Sequence, residues 1–345
     1  MMEMKLKCTP FESPYEELIH PHIYRVRDNL FLVQFKVMKV LPALNIVRRA
    51  MERGEIKKDS LVIDTSSGTF ALGLALVCHH FKLGLKIVSD PALDKNLKAR
   101  LEDLGAHVLV VEEPDEQGNY QSKRLQVVKK ILVENENAFW CNQYDNPDNM
   151  GSYDPIADMI AESIGTQVSL VGAVGSGGST SGIIQALRKR NLDTRMVAVD
   201  TFGSVLFGLT DSKRQLRGLG NSVIPKNVKH HLYDEVHWVS ARLAYSWTRD
   251  LHRKHAIYAG GTTGACFGVA DFLSRNSPDE TFVFIGPDDG VRYMETIYQD
   301  DWLQKNQLQL PDNELTEPQE CMGPWDVPCS PPDWAFMKWN RKSTL

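Results

Sequence analysis

The chain has 345 residues, enough for roughly two domains or lobes around a large core. Hydrophobic residues make up 42% and charged residues 24%, the balance of an ordinary soluble globular protein. The net charge is only −5, and no acidic or basic block is long enough to suit nucleic acid or a membrane surface, so small-molecule chemistry is the expectation.

The opening stretch MMEMKLKCTPFESPYEE lacks the apolar region of a secretory signal. Nowhere do the ~18 consecutive apolar residues of a spanning helix occur, and a cytoplasmic protein is expected. Cys8, Cys78, Cys141, Cys266, Cys321 and Cys329 are scattered, with no C-x-x-C pair and no histidines at zinc spacing. They read as reduced structural thiols in preference to a metal or disulfide set.

Residues 33–54, VQFKVMKVLPALNIVRRAMERG, place Lys36 and Lys39 ahead of a helical pattern that opens with Pro42 and stops at Gly54. The run LVID (61–64) predicts a strand, and SSGT (66–69) after it reads by itself as a helix N-cap. Further strands are predicted at LKIVS (85–89), HVLVV (107–111), SLVGAV (169–174), MVAV (196–199) and TFVFIG (281–286). Their alternation with helical patterns predicts an α/β protein, with helix-covered, mostly parallel sheets in two lobes. The larger lobe is expected over residues 1–41 and 145–305, the smaller over 42–144. Residues 306–345 form a tail rich in proline and acids, and Trp325, Trp334 and Trp339 suggest that it docks on the body or on a second subunit.

The densest glycine stretch is VGAVGSGGSTSGII (171–184), in which Gly175 to Gly178 turn from a strand into the helical pattern TSGIIQALRKRN. Backbone N–H groups at such a turn, with the positive end of the helix, suit a phosphate, and Ser176, Ser179, Thr180 and Ser181 offer hydroxyls. A tight turn holding nothing is the plain alternative. A nucleotide-triphosphate loop is excluded, because Gly182 is followed by Ile183 and Ile184 where Lys and Ser or Thr are needed. A dinucleotide site fits poorly, with Thr180 where a small residue is required and only Asp200 as a distant acid.

GSGGSTSG resembles the phosphate loop GTGGTxTG of the cysteine synthase and cystathionine β-synthase family of pyridoxal-phosphate enzymes. SSGTFALGLA (66–75) is similar to its substrate loop TSGNTGxALA, and NQYDNPDN (142–149) to NQFENPAN. RGLGNSVIP (217–225), GGTTGA (260–265) and GPDDGVRY (286–293) resemble QGIGxGFIP, GISSGA and PDSGERY, all in the family's order. Aligning KVLPALN with the family's KDRPALN gives the Schiff-base role to Lys39; Lys36, the rival, has the wrong offset from Pro42.

The resemblance implies a fold type II enzyme, commonly a homodimer, with pyridoxal 5′-phosphate in the cleft between its lobes. It implies β-elimination from an activated serine or cysteine through an aminoacrylate, followed by β-replacement with a nucleophile co-substrate. Release of pyruvate and ammonia, or a catalytically altered protein with a binding role, are the alternatives. Lys39 would hold the cofactor and move the α-proton. Gly175, Ser176, Gly177, Gly178 and Ser179 would hold its phosphate, and Thr262, with Thr263 as second choice, would face its ring nitrogen. A threonine hydroxyl is too weak an acid to protonate that ring. Ser66, Ser67, Gly68, Thr69 and Gln143 would bind the substrate, with Thr69 also near the cofactor's 3′-hydroxyl. Arg217 would meet an anionic substrate group such as a phosphoserine phosphate. The sequence departs from the family in lacking NPTGS before Lys39 and in carrying Thr69, Phe70 and Ala71 where Asn, Thr and Gly are usual. These changes put the standard substrate in question.

Overall fold

The computed structural model describes residues 11, 13–116, 118, 120–308 and 317–342. Its strands are β1 (His22–Arg27), β2 (Leu30–Gln34), β3 (Leu61–Thr65), β4 (Gly84–Ser89), β5 (His107–Val110) and β6 (Ala138–Trp140). They continue with β7 (Ser169–Ala173), β8 (Arg195–Thr201), β9 (Glu235–Val239), β10 (Phe282–Gly286), β11 (Gln319–Glu320) and β12 (Trp334–Lys338). Eight of them form one sheet in the order β1-β2-β10-β7-β8-β9-β12-β11, and four form a second in the order β5-β4-β3-β6.

The small sheet is parallel throughout, and the large one is parallel from β2 to β9. Strands covered on both faces can be apolar without alternation, which is why LVID, SLVGAV and TFVFIG are visible as continuous runs. The helix Thr69–Phe81 is apolar around most of its circumference, and eight of its residues are buried. Such a helix is stable only inside a protein, and it packs on the helix Val40–Glu52. That second helix begins two residues before Pro42, which therefore sits in its first turn, where no backbone donor is needed.

The tail joins the body of its own chain. β12 pairs antiparallel with β9, Trp334 lies between Trp247 and Phe272, and Trp339 packs edge-on against Phe207. Trp334 and Trp339 are buried, whereas Trp325 is exposed. β9 escapes a search for apolar runs because it reads EVHWV, with Glu235 and His237 both buried. The Glu235 and His237 side chains are satisfied in place. The Trp334 indole donates to His237 Nδ1 at 2.9 Å, His237 Nε2 meets Glu235 Oε1 at 2.6 Å, and Arg195 pairs with Glu235. Cys78, Cys141, Cys266 and Cys321 are buried free thiols, Cys329 is exposed, and Cys8 lies outside the described residues. Among the described residues no helix is long and apolar enough to cross a membrane.

Candidate active site

A cleft of about 1030 Å³ opens between the two sheets, at the carboxyl ends of β3 and β7. Open α/β sheets bind ligands at this edge, because the loops leaving the strands converge there. Lys39, Ser66, Ser67, Gly68, Thr69 and Gln143 all line it. So do Gly175, Ser176, Gly177, Ser179, Thr262 and Arg217. Gly178 does not; it lies behind the glycine loop, where a Cβ would stand 2.1 Å from Asn149 Oδ1.

Lys39 caps the start of the helix Val40–Glu52 and is half-buried. Its Nζ has Ser176 Oγ at 3.5 Å, 137 residues away in the chain. Burial lowers its pKa from the ordinary lysine value to about 8. The helix Thr69–Phe81 comes close enough to fix this backbone only because residue 73 is glycine: a Cβ there would be 2.6 Å from the Lys39 carbonyl oxygen. Lys36 faces the other way. It is exposed and forms an ion pair with Glu17.

The glycine loop makes its turn at Gly177, whose φ of +81° is open to glycine and whose missing Cβ would lie 2.6 Å from the Asn227 backbone. The helix Gly178–Arg188 starts there and turns its free N–H groups and positive dipole end toward the cleft. Two of the hydroxyls expected to help are turned inward. Thr180 Oγ1 bonds Gly177 O at 3.2 Å and Tyr233 OH at 2.7 Å, and Ser181 Oγ donates to Asn227 O at 2.7 Å. They fasten the loop to the segment beneath it, which leaves Ser176 and Ser179.

On the facing lobe, Gly68 caps the helix Thr69–Phe81 and donates its N–H to Ser66 Oγ at 3.2 Å. Arg292 reaches the Ser67 carbonyl at 3.4 Å. The Gln143 side chain donates to Thr65 O at 3.1 Å, and the Gln143 backbone carbonyl accepts from the Asn149 and Asn227 side chains at 2.6 and 3.2 Å. Thr262 is buried and gives its hydroxyl proton to the Arg217 carbonyl at 2.9 Å. Thr263 Oγ1 is buried with no hydrogen-bond partner among the described residues. Arg217 itself is exposed and spans the mouth of the cleft to the Ala92 carbonyl.

The cleft also contains residues that motif reading passed over. Arg124 is 7% exposed and pairs with Asp90 at 3.1 Å, yet its Nε and Nη1 make no hydrogen bond among the described residues. It lies in YQSKRLQVVKK, where a cation among polar residues reads as a solvated helix face, so the sequence carries no signal for it. Asp288 and Arg292, by contrast, stand inside GPDDGVRY. Burial pushes the Asp288 carboxyl up to about 6, although the Tyr293 hydroxyl donates to it at 2.6 Å.

A half-buried, partly neutral amine facing a glycine cradle at a helix start fits an aldehyde cofactor that carries a phosphate. The profile of the family described as "Pyridoxal-phosphate dependent enzyme" matches residues 15–288. The chain is 34% identical over 272 residues to the N-(2-amino-2-carboxyethyl)-L-glutamate synthase of Cupriavidus metallidurans, covering 77% of this chain and 80% of that protein. It is 35% identical over 269 residues to the protein of the same name in Ralstonia nicotianae, with the same coverage. Its fold is similar to the O-acetylserine-dependent cystathionine β-synthase of Helicobacter pylori, with a TM-score of 0.78, 22% identity, and coverage of 85% of this chain and 100% of that one. It also resembles an O-acetylserine sulfhydrylase of Entamoeba histolytica, with a TM-score of 0.78, 20% identity, and coverage of 90% and 100%. The chain therefore belongs to the pyridoxal-phosphate-dependent enzymes, with the two-lobed α/β fold of their fold type II.

Proposed function

We propose that this enzyme carries out β-replacement, exchanging the leaving group on the β-carbon of an activated serine for the amine of a second, acidic amino acid. The name shared by the two relatives describes such a product, an alanine unit joined through its β-carbon to the nitrogen of glutamate. The observation that carries the reading is the cleft itself. One wall holds a half-buried amine and a phosphate cradle, and the other holds a loop of N–H and O–H donors with the buried Arg124 nearby.

When bound, pyridoxal phosphate supplies the electron sink that makes the α-proton acidic. Lys39 holds the cofactor, and as a free amine it moves that proton. Gly175, Ser176, Gly177 and Ser179 hold the phosphate by N–H and O–H donors, and Gly178 contributes the closeness of its backbone to Asn149. Ser66, Ser67, Gly68 and Thr69 bind the substrate carboxylate, and Gln143 keeps that loop against the phosphate loop. Thr262 would face the ring nitrogen. Arg124 and Arg217 meet anionic groups, either the leaving group or the second carboxylate of the nucleophile. The enzyme acts in the cytoplasm as a homodimer, and sedimentation of the purified protein checks the dimer.

The test is to add O-acetylserine, O-phosphoserine, serine and cysteine in turn to the purified holoenzyme, following cofactor absorbance. Glutamate, other amines and sulfide then follow, with products read by mass spectrometry. A spectral change with one activated serine and a product carrying the added amine is expected. No response to any of the panel would overturn the reading, and pyruvate with ammonia as the only products would replace it by elimination. Equal turnover of acetylserine and phosphoserine by both wild type and Arg217→Ala would remove the role of Arg217.

A further inference from the structure

Asp64 is 1% exposed, next to last in β3, and its carboxylate faces three N–H donors. Oδ1 accepts from Thr65 N at 2.6 Å and from the Trp140 indole at 3.2 Å, while Oδ2 accepts from Gln143 N at 3.2 Å. The amide of Gln143 returns to the Thr65 carbonyl at 3.1 Å, which closes a ring of hydrogen bonds across the ends of β3 and β6. The chain aims the Gln143 N–H at the carboxylate by passing Asn142 through a left-handed conformation, with φ at +47°. Asparagine tolerates that region better than most residues, but it is still held there against a local preference.

The residue after Thr65 is Ser66, the first of the substrate loop. Gln143 in turn is held by Asn149 and Asn227, which stand directly behind Gly178 and Gly177 of the phosphate loop. Ion pairs of Asp64 with Lys or Arg are absent among the described residues. Burial pushes the Asp64 carboxyl up to about 7 even with these three donors and the charge of Arg124 acting on it, so this group is a costly way to add stability alone. We propose that Asp64 is a positioning residue for the amino-acid substrate, setting the carboxylate-binding loop and the Gln143 turn at a fixed distance from each other. This rests on the function proposed above.

Asp64→Asn keeps the shape but turns an amide NH₂ toward at least one of three N–H groups, so one donor loses its acceptor. The readout is the substrate dependence of the cofactor's spectral response together with kcat. The variant should raise the KM for the activated serine about tenfold or more, the cost of one buried bond left unmade, while kcat changes less. Cofactor absorbance and affinity should match wild type, because the phosphate loop and Lys39 are untouched. Asp64→Glu retains the acceptor on a longer stem, so it should fold and raise KM to a smaller degree even where the Asn variant is unstable. Trp140→Phe removes a donor that belongs to neither loop and should leave KM unaltered. If wild type responds and both Asp64 variants share its KM, the positioning role is wrong. If the Asp64 variants lose cofactor binding in parallel with KM, the residue is only structural. A wild type that responds to no amino acid defeats the function, and this inference with it.

Discussion

The ionisation of Lys39 can be tested before any substrate is known. An ordinary lysine titrates near 10.5, and burial brings Lys39 to about 8. At pH 7 roughly one Lys39 in ten would be a neutral amine, against about one in three thousand for a free lysine, a gain of about 300-fold in nucleophile. Only the neutral amine attacks the cofactor's aldehyde. The rate at which apoprotein takes up pyridoxal phosphate should therefore rise about tenfold per pH unit below 8 and level off above it. Stopped-flow absorbance between pH 6 and 10 measures this directly. A rate still climbing at pH 10 would refute the burial argument, and an Lys36→Ala variant should follow wild type throughout. The same shift has a sign in stability. Because the folded pKa is depressed, the apoprotein's stability is greatest above the unfolded value and declines as pH falls from about 10.5 to about 8, by about 3 kcal/mol in all. Lys39→Met should abolish that slope in denaturant titrations and be the more stable protein at neutral pH.

Gly177→Ala forces a side chain into a left-handed conformation and against the Asn227 backbone, a strain of about 1–3 kcal/mol; cofactor affinity should fall at least about tenfold, and wild-type affinity by fluorescence titration would contradict the cradle. Trp334→Ala empties the space between Trp247 and Phe272 and frees His237, so unfolding by urea should show a loss of about 3–5 kcal/mol, with a loss below about 1 kcal/mol speaking against docking of the tail. Asp200 is fully buried, Oδ2 has no hydrogen-bond partner among the described residues, and burial pushes it up to about 7. Its raised pKa makes the protein most stable with the group protonated, so this contribution fades as pH rises from about 4 to 7. Asp200→Asn should therefore stabilise at pH 8 and much less at pH 4; an equal effect at both would show that ionisation is not the cause.

Six of the strands were readable as runs of apolar and β-branched residues; for all but β5, an edge strand that is exposed or half-buried along its length, the reason is that parallel strands covered by helices are largely apolar. Two of the strands that were not readable have specific reasons. β9 is buried together with an acid and a histidine that are paired to each other and to Trp334, and β12 lies in a segment whose composition resembles a loop. Periodicity measures hydrophobicity alone, and a polar side chain satisfied inside the fold looks the same in sequence as one facing water. The same holds for Arg124, a cation in a polar helix whose burial beside Asp90 is visible only in three dimensions.

What the sequence determined by itself is local. Glycines at 175, 177 and 178, hydroxyls at 66, 67 and 69, and an apolar strand before each loop are properties of short stretches, and their order along the chain was enough to identify the family. The tertiary structure decided which groups meet. It set Lys39 beside Ser176, half-buried it and left Lys36 on the surface with Glu17; it tied the hydroxyls of Thr180 and Ser181 to Tyr233 and Asn227 and closed the ring of hydrogen bonds through Asp64. Side-chain chemistry is written residue by residue, but burial and partnership are properties of pairs far apart in the chain, and only packing brings such pairs within reach.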